Sequence, residues 1–385
     1  MIYLDHAATT RVAPEVLEAM LPWLQADYGN PGALYQSGVK ARNALRTARE
    51  SVAALMHAHP EEIYFTSGGT EADNWALTAT AEAFAAKGRH IITSRIEHHA
   101  VLHTCAWLER RGYEIMYLKP DRDGLIAPEE VERAIRPDTI LISVMLANNE
   151  VGTIQPIAQI GALARAKGIL LHTDAVGAFG QIPVDVEALQ ADLLSVSAHK
   201  LHGPKGVGCL YIRNGVRIGA LLQGGAQERN RRAGTENVPG IVGFGVAAEC
   251  AGKRLQESET VVQLREHMIQ RLLAEIPQSH INGHRDRRLP GNIHISFDGI
   301  EAESLLIRLD MDGICASAGS ACTSGSLEPS HVLLAMGQSA TEARSSIRLT
   351  LGADNTPEEI DAAADAIGKH VLLLRQMRAN KPGLS

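Results

Sequence analysis

Two segments of the chain carry side chains that could perform covalent chemistry. One reads Ser-Val-Ser-Ala-His-Lys-Leu-His-Gly-Pro-Lys-Gly around Lys200, and the other reads Gly-Ser-Ala-Cys-Thr-Ser-Gly around Cys322. Lys200 follows an apolar run typical of a buried strand and precedes a Gly/Pro turn, where an amine is both rigid and accessible. These positions suit an amine that holds a carbonyl cofactor and a thiol that accepts sulfur. Taken alone, a lysine at a strand end is more often a solvated surface charge.

A candidate phosphate site lies in the turn Thr-Ser-Gly-Gly-Thr-Glu that starts at Thr66, between a predicted strand and a predicted helix. The free N–H groups and the positive dipole end of a helix start favour an anion, and the hydroxyls of Ser67 and Thr70 can add donors. Such a turn is often only a turn. Because Lys200 and Asp174 are predicted in the same sheet, we interpret it as a phosphate site.

Asp174 and Cys322 each have a structural interpretation beside the chemical one. A carboxylate at a strand end more often caps a helix, but such a carboxylate can also keep a neighbouring nitrogen protonated. Cys322 lies in a Gly/Ser/Ala run that favours neither helix nor strand, which suits a thiol that must approach a substrate and leave again. The other cysteines are expected to be inert packing residues: Cys105, Cys209, Cys250 and Cys315.

Short apolar runs alternate with segments of helical periodicity along the first two thirds of the chain. This pattern predicts an α/β fold with a mostly parallel seven-stranded sheet and helices on both faces. The predicted strands are residues 62–66, 90–93, 115–118, 140–145, 169–172, 193–196 and 208–212, and the predicted helices include 71–87 and 157–167. The candidate residues fall at the carboxyl ends of these strands, where ligands of such sheets bind.

The pattern changes near residue 252, and we expect a smaller α+β domain over residues 253–385. A charged amphipathic stretch up to residue 276 comes first, followed by a strand at 293–297, a helix at 301–309, a strand at 346–351 and a last helix. That helix opens with Thr-Pro-Glu-Glu from Thr356, a capping box with Thr as N-cap and Glu at the third helical position. A chain of 385 residues is long enough for two domains.

Composition argues against several classes of function. Lys and Arg number 37 against 44 Asp and Glu, so the chain offers no cationic face for nucleic acid. Five cysteines without a Cys-x-x-Cys pair favour a reducing compartment. No run approaches the ~18 apolar residues of a membrane helix and the start lacks a signal-peptide pattern, so we expect no membrane association and a cytoplasmic location. His99 and His103 have a zinc-like spacing, but no acidic motif accompanies them and we expect no metal.

Taken together, these runs resemble the cysteine desulfurases of the NifS/IscS type, which are fold-type I pyridoxal phosphate (PLP) enzymes with an aspartate-aminotransferase-like fold. The matching runs are Asp-His-Ala-Ala-Thr-Thr from Asp5, the Thr66 turn, Glu-His-His-Ala from Glu97, Asn-Asn-Glu from Asn148, His-Thr-Asp-Ala from His172, Ser-Ala-His-Lys from Ser197, Arg-Ala-Gly-Thr from Arg232, the Cys322 segment and Ser-Ser-Ile-Arg from Ser345. Each run is weak by itself, but their common order over about residues 3–370 is specific. The resemblance implies a PLP-binding domain over residues 13–252, with segment 1–12 completing the small domain.

The resemblance also implies a role for each matched residue. The implied cofactor-binding residues are Gly69, Thr70, His98, Asn149, Asp174, Ser197, His199, Lys200 and Thr235. The last of these would reach over from the partner subunit of a homodimer, so the active site would lie at the subunit interface. Arg348 would clamp the substrate carboxylate with help from Asn30 and Asn149, although a surface ion pair is the commoner use of such an arginine.

The implied reaction converts L-cysteine to L-alanine. Lys200 would give up PLP to the substrate and move the Cα proton, His98 would move protons at the substrate thiol, and Cys322 would take the sulfur as a persulfide. An iron–sulfur scaffold or another acceptor protein would then receive the sulfur. A selenocysteine lyase or aminotransferase would share Lys200 and Asp174 without needing Cys322, and a non-catalytic scaffold that binds sulfur-trafficking partners is a further alternative.

One position departs from the resemblance. Most relatives read Asp-Ala-x-Gln after the cofactor strand, with the Gln donating to the phenolic oxygen of PLP, whereas this chain reads Asp-Ala-Val-Gly and has Gly177 there. Water or another side chain replaces the donor, or the oxygen goes without. The alternative is that Gly177 is required by the backbone geometry.

Overall fold

The structure, a computed structural model, describes residues 1–319 and 328–379. Its strands are β1 (Ile2–Tyr3), β2 (Ile63–Thr66), β3 (His90–Ser94), β4 (Glu114–Leu118), β5 (Thr139–Ser143), β6 (Leu170–Asp174), β7 (Leu193–Ser197), β8 (Gly208–Ile212), β9 (Ser279–Ile281), β10 (Asn292–Phe297), β11 (Ile314–Cys315) and β12 (Ser346–Thr350). Its helices are α1 (Pro14–Gln25), α2 (Gln36–Leu55), α3 (Gly69–Ala83), α4 (His99–Glu109), α5 (Pro128–Ala134), α6 (Ile157–Ala166), α7 (Val186–Leu189), α8 (Gln227–Asn230), α9 (Val238–Arg254), α10 (Ser258–Glu275), α11 (Ala302–Met311), α12 (His331–Ala335), α13 (Ala340–Arg344) and α14 (Pro357–Ala379).

A seven-stranded sheet forms the centre of the molecule, in the order β2-β8-β7-β6-β5-β3-β4. Only β8 runs antiparallel to its neighbours in this sheet; the other pairs are parallel. The predicted mostly parallel sheet is therefore confirmed. The strand predicted over residues 140–145 is shorter than expected, because β5 ends at Ser143. In contrast, β6 continues to Asp174 and so places that carboxylate at the strand end.

Alternating side chains of the central strands build a separate apolar core on each face of the sheet. Ile92, Ile142 and Leu194 belong to one hydrophobic cluster, whereas their preceding neighbours Ile91, Leu141 and Leu193 belong to the other. Successive residues of a strand point to opposite faces, and burying such a side chain contributes about 1.5–3 kcal/mol. The two cores hold the strand ends in fixed positions relative to one another.

A second set of elements surrounds the three-stranded antiparallel sheet β12-β10-β9. Their core combines residues of α10, α11 and α14 with Leu4 from the N-terminal segment, and β1 pairs with β11. The predicted capping box of α14 is confirmed, because Thr356 and Glu359 exchange side-chain-to-backbone hydrogen bonds of 3.3 Å. The domain boundary at residue 252 falls within α9 and stays a prediction.

Within residues 1–319 and 328–379, no helix is both long enough and apolar enough to span a lipid bilayer.

Candidate functional site

A cavity of about 320 Å³ lies at the carboxyl ends of the central strands. Most of the residues expected at the site line it: Gly69, Thr70, His98, Asn149, Asp174, Ser197, His199, Lys200 and Arg348. They come from loops after β2, β3, β5, β6 and β7 and from β12 of the smaller sheet. The parallel arrangement brings them together because the carboxyl ends of parallel strands meet at one edge of the sheet.

Lys200 is held from the N-terminal segment. It ends the short 3-10 turn Ala198–Lys200 that directly follows β7, so its backbone is fixed by a buried strand. Its Nζ donates to the carbonyl oxygen of Ala8 (2.9 Å) and to that of Ala7. Both carbonyls line the same cavity, so the amine lies at the cavity wall.

The start of α3 has the features of an anion site. The helix has no side-chain cap hydrogen bond at its N-terminus, so its first N–H groups are available to a ligand. Gly68 adopts φ +152°, a region that side chains rarely permit, and a Cβ on Gly69 would lie 2.5 Å from Val176 Cγ2. The two glycines thus let the turn pass close to the strand ends, where Ser197 adds a hydroxyl to the cavity lining.

Asp174 is a buried carboxylate with one strong local partner. Its Oδ1 accepts a hydrogen bond from the N–H of Val176 at 2.8 Å, and only 5% of the residue is exposed. Burial raises the pKa of Asp174, whereas the neighbouring His98 and Lys200 oppose that rise. A cationic N–H group beside Asp174 would favour the charged carboxylate in the same way.

Asp73 is a cavity residue that the sequence did not indicate. It is fully buried, lines the cavity, and its Oδ1 has no hydrogen-bond partner among the described residues. Burial, and then the charge of Asp174, raise the pKa of Asp73 well above its usual value. Sequence position gave no signal, since Asp73 lies in the middle of the first turns of α3 and resembles an ordinary helix residue.

His98 is oriented by the helix that it caps. Its Nδ1 accepts a hydrogen bond from the N–H of Ala100 at 3.1 Å, so the neutral ring carries its proton on Nε2. His199, on the opposite side of the cavity, pairs through Nδ1 with Thr9 Oγ1 at 3.2 Å. Burial, with a smaller contribution from the positive charge of Lys200, lowers the pKa of His199 to about 4, so this ring is neutral at pH 7.

Arg348 is buried, which excludes the surface ion pair considered for it. Its Nη1 donates to Asn149 O (3.0 Å) and Gly319 O (3.2 Å), and its Nη2 donates to Asp5 Oδ1 (2.9 Å). Its Nε is buried without a partner among the described residues. The guanidinium is therefore fixed in orientation, and of its five N–H groups the one on Nε and the second one on Nη2 are not used by these contacts.

Three expected residues are not among those lining the cavity. Asn30 lies in the loop between α1 and α2, where its Oδ1 accepts from Gly32 N at 2.8 Å. Thr235 lines a neighbouring cavity with Ser67. Cys322 lies outside the described residues.

The four cysteines other than Cys322 were expected to be packing residues, and the His99/His103 pair was considered as a metal site. Cys105 and Cys209 are buried free thiols, as expected, whereas Cys250 and Cys315 are partly exposed. Over residues 1–319 and 328–379, no group of three or more His, Cys, Asp and Glu side chains is arranged to hold a metal ion.

Comparison with known proteins gives a consistent result. Residues 2–363 match the family described as aminotransferase class-V. The cysteine desulfurase IscS of Methanosarcina thermophila is 53% identical over 99% of this chain and 94% of its own length. A solved NifS-like protein has a TM-score of 0.91 at 41% identity, covering 97% of this chain and all of its own. The solved structure of SspA in complex with cysteine has a TM-score of 0.81 at 39% identity. The match covers 91% of this chain and 99% of the SspA chain.

The chain belongs to the cysteine desulfurases of the class-V aminotransferase family. The cofactor of this family is PLP, and the cavity fits it in three respects. A helix start without a side-chain cap can receive the phosphate. A buried carboxylate, Asp174, can pair with the ring nitrogen, and the amine of Lys200 lies at the cavity wall. The expected fold and cofactor are therefore confirmed.

Proposed function

We propose that this desulfurase converts L-cysteine to L-alanine at the cavity between Lys200, Asp174 and Arg348, and passes the sulfur to Cys322. The observation that carries this proposal is the convergence of a strand-end amine, a buried carboxylate and an oriented guanidinium on one cavity. An aminotransferase or selenocysteine lyase is not favoured, since the relatives that match over the whole chain are described as cysteine desulfurases.

Each residue has a task that follows from its surroundings. When bound, PLP supplies a carbonyl that condenses with amines and a ring that withdraws electrons from the carbon next to the amine. Lys200 would hold this group and, once exchanged for substrate, move the proton of the substrate Cα. Arg348 would bind the substrate carboxylate through the guanidinium N–H groups that its protein contacts leave unused, beside Asn149. His98, with its proton on Nε2, can donate at the substrate thiol.

Cofactor binding would use the residues around the start of α3. Gly69 and Thr70 supply backbone N–H groups at the helix start, and Ser197 and His199 lie on the adjoining strand end. His199 has a ring nitrogen that can donate or accept a hydrogen bond at this site. Thr235 of a partner subunit would complete the phosphate site.

A homodimer is supported by an apolar surface around α1 and the loop that follows it. Large side chains are exposed here: Leu17, Leu21, Leu24, Tyr28, Leu34 and Tyr35. Exposed apolar patches of this kind mark protein interfaces. Asn30 lies in the same loop, so a dimer formed through this surface would bring Asn30 close to a partner subunit.

The proposed partners are L-cysteine, a second copy of the chain and a sulfur-acceptor protein such as an iron–sulfur scaffold. We place the protein in the cytoplasm, since a thiol that carries persulfide must start reduced. The proposed domains are residues 13–252 for PLP binding and 253–385 with segment 1–12 for the small domain. Leu4 packs into the core of the small domain, which supports that division.

The test is to measure alanine and sulfide formed from L-cysteine in the presence of a thiol reductant. The purified protein is expected to form both in equal amounts, and Cys322→Ser is expected to abolish sulfide while the change in cofactor absorbance on adding L-cysteine persists. Cys250→Ser serves as the control for a partly exposed thiol. Full turnover by Cys322→Ser would contradict the role of Cys322, and absence of alanine from the unmodified protein would contradict the proposed reaction.

A further inference from the structure

The contacts proposed for PLP also determine which residues face its phenolic oxygen. In the PLP ring the carbonyl-bearing carbon lies opposite the ring nitrogen, with the phosphate arm on one side of that axis and the phenolic oxygen on the other. In bound PLP, Asp174 and Lys200 would define this axis, and the phosphate would lie toward Ser197 at the end of β7. Since β6 lies between β7 and β5, the oxygen would face the side of β5, the strand that Asn149 follows. Gly177 lies next to Asn149, because a Cβ built on Gly177 would be 3.8 Å from Asn149 Cβ.

A second, small cavity of about 40 Å³ opens on this side. It shares Asn149, Gly177 and Lys200 with the main cavity, and Gln181 lies in its wall. A cavity of this volume can hold one water molecule, provided that polar groups bind it. The space behind Gly177 is therefore continuous with the cofactor side of the site.

Gln181 is a polar residue of the small cavity whose side chain has no hydrogen bond within the described part of the chain. Asn149 lies on the side shared with the main cavity, and His6 belongs to the N-terminal segment. Asn292 lines the same cavity, but its Nδ2 donates to Glu150 O at 2.9 Å. Thr350 Oγ1 already accepts from Ala7 N at 2.8 Å. Gln181 lines the cavity, and its side chain forms no hydrogen bond with another described residue.

Gly177 is not required by the backbone. Its φ is not positive, and a Cβ there would come no closer than 3.6 Å, to Ala147 O, which is an ordinary contact. The expectation that backbone geometry demands a glycine is therefore wrong. What the glycine does is leave an opening between the main cavity and Gln181.

We propose that Gln181 binds one water in the small cavity and that this water donates a hydrogen bond past Gly177 to the phenolic oxygen of PLP. The proposal rests on the cofactor site described above and makes Gln181 a positioning residue. A donor at that oxygen stabilises the phenolate, which then holds the proton on the Lys200 imine less tightly. Loss of the donor thus raises the pH at which the absorbance of the bound cofactor changes.

The test is a double-mutant cycle on the holoenzyme without substrate, read by absorbance against pH. The quantity compared is the midpoint pH of the change in cofactor absorbance. Gln181→Met keeps the side-chain length and removes the amide, and we expect it to raise this midpoint by about one pH unit. Gly177→Gln alone should change the midpoint little, because one donor replaces another. Added to Gln181→Met, it should return the midpoint to the wild-type value. Gln159→Met on the exposed surface of α6 is the matched control and should have no effect.

Borohydride reduction and peptide mapping separate this proposal from the cofactor site itself. An unchanged midpoint in Gln181→Met, with PLP still fixed to Lys200, would overturn the role of Gln181 and leave the cofactor site intact. Gly177→Gln could instead lower the midpoint pH equally in the wild-type and Gln181→Met proteins. That result would also overturn the role of Gln181, since it would mean that the phenolic oxygen has no donor in the wild-type protein. Gln181→Ala gives the same readout if the Met variant folds poorly. Absence of PLP from Lys200 in the wild-type protein would instead refute the proposed cofactor site.

Discussion

Replacing Arg348 by Lys tests whether its fixed guanidinium binds the substrate carboxylate. Arg348 is 2% exposed, and its two terminal nitrogens are already committed to Asn149 O, Gly319 O and Asp5. The N–H of Nε and the second N–H of Nη2 form no hydrogen bond within the described part of the chain. A lysine keeps the charge but has no planar fork, so it cannot hold these acceptors and a carboxylate in the same geometry.

The expected magnitude follows from the loss of a charge-assisted hydrogen bond. Such a bond contributes about 1.5–3 kcal/mol, and each 1.4 kcal/mol is about tenfold in affinity. We expect KM for L-cysteine to rise about 10- to 100-fold, with a smaller change in kcat, because the carboxylate is held in the bound substrate and is itself neither formed nor broken in the reaction. The assay is alanine formation against L-cysteine concentration, together with PLP content and the thermal melting temperature.

Arg49→Lys is the matched control, because Arg49 also has a largely buried guanidinium that binds a carboxylate in bidentate fashion. Its Nη1 and Nη2 donate to Glu228 at 2.7 Å, and it does not line the cavity. We expect it to lower the melting temperature without changing KM. If Arg348→Lys also lowered only the melting temperature and left KM within about twofold of wild type, Arg348 would be a structural residue and the reasoning would fail.

Two further outcomes are expected. Borohydride should fix PLP to Lys200, and a reduced adduct mapped to Lys205 would show that the amine was wrongly assigned. Burial raises the pKa of Glu97 to about 8, so the folded chain retains a proton that the unfolded chain loses above about pH 4.5. The stabilisation by this bound proton is fully present below about pH 4.5 and is lost as pH rises through 8. Glu97→Gln stays neutral, so it should melt at a higher temperature than wild type at pH 9. At pH 5 the two proteins should melt at similar temperatures. If the difference in melting temperature between Glu97→Gln and wild type were the same at pH 5 and pH 9, Glu97 would not be a buried neutral carboxyl.

The elements of this protein could be predicted because their causes are local. The alternation of apolar residues specified the strands, and the Thr356 capping box specified the start of α14. Errors occurred at boundaries, where local signals are weak. The helix expected from residue 71 begins at Gly69 because Gly68 forms its N-cap, and β6 runs two residues beyond its predicted end.

The membership of the site was only partly determined by sequence. Lys200, Asp174 and the Thr66 turn were indicated because each joins a chemical group to a strand end, and the resemblance supplied the other members. Asp73 and Gln181 gave no such signal, since one resembles a helix residue and the other a turn residue. Their proximity to the cofactor cavity depends on packing.

Contacts between distant parts of the chain were decided by the tertiary structure alone. Asp5 and Arg348 are 343 positions apart, yet they form the ion pair that orients the guanidinium. The carbonyls of Ala7 and Ala8 bind Lys200, more than 190 positions away. Periodicity and caps reflect interactions within a few residues, whereas such pairs exist only after the sheets have packed. The sequence by itself therefore determined which reactive groups are present at the strand ends. The packing of the two cores determined which of these groups act on the same ligand.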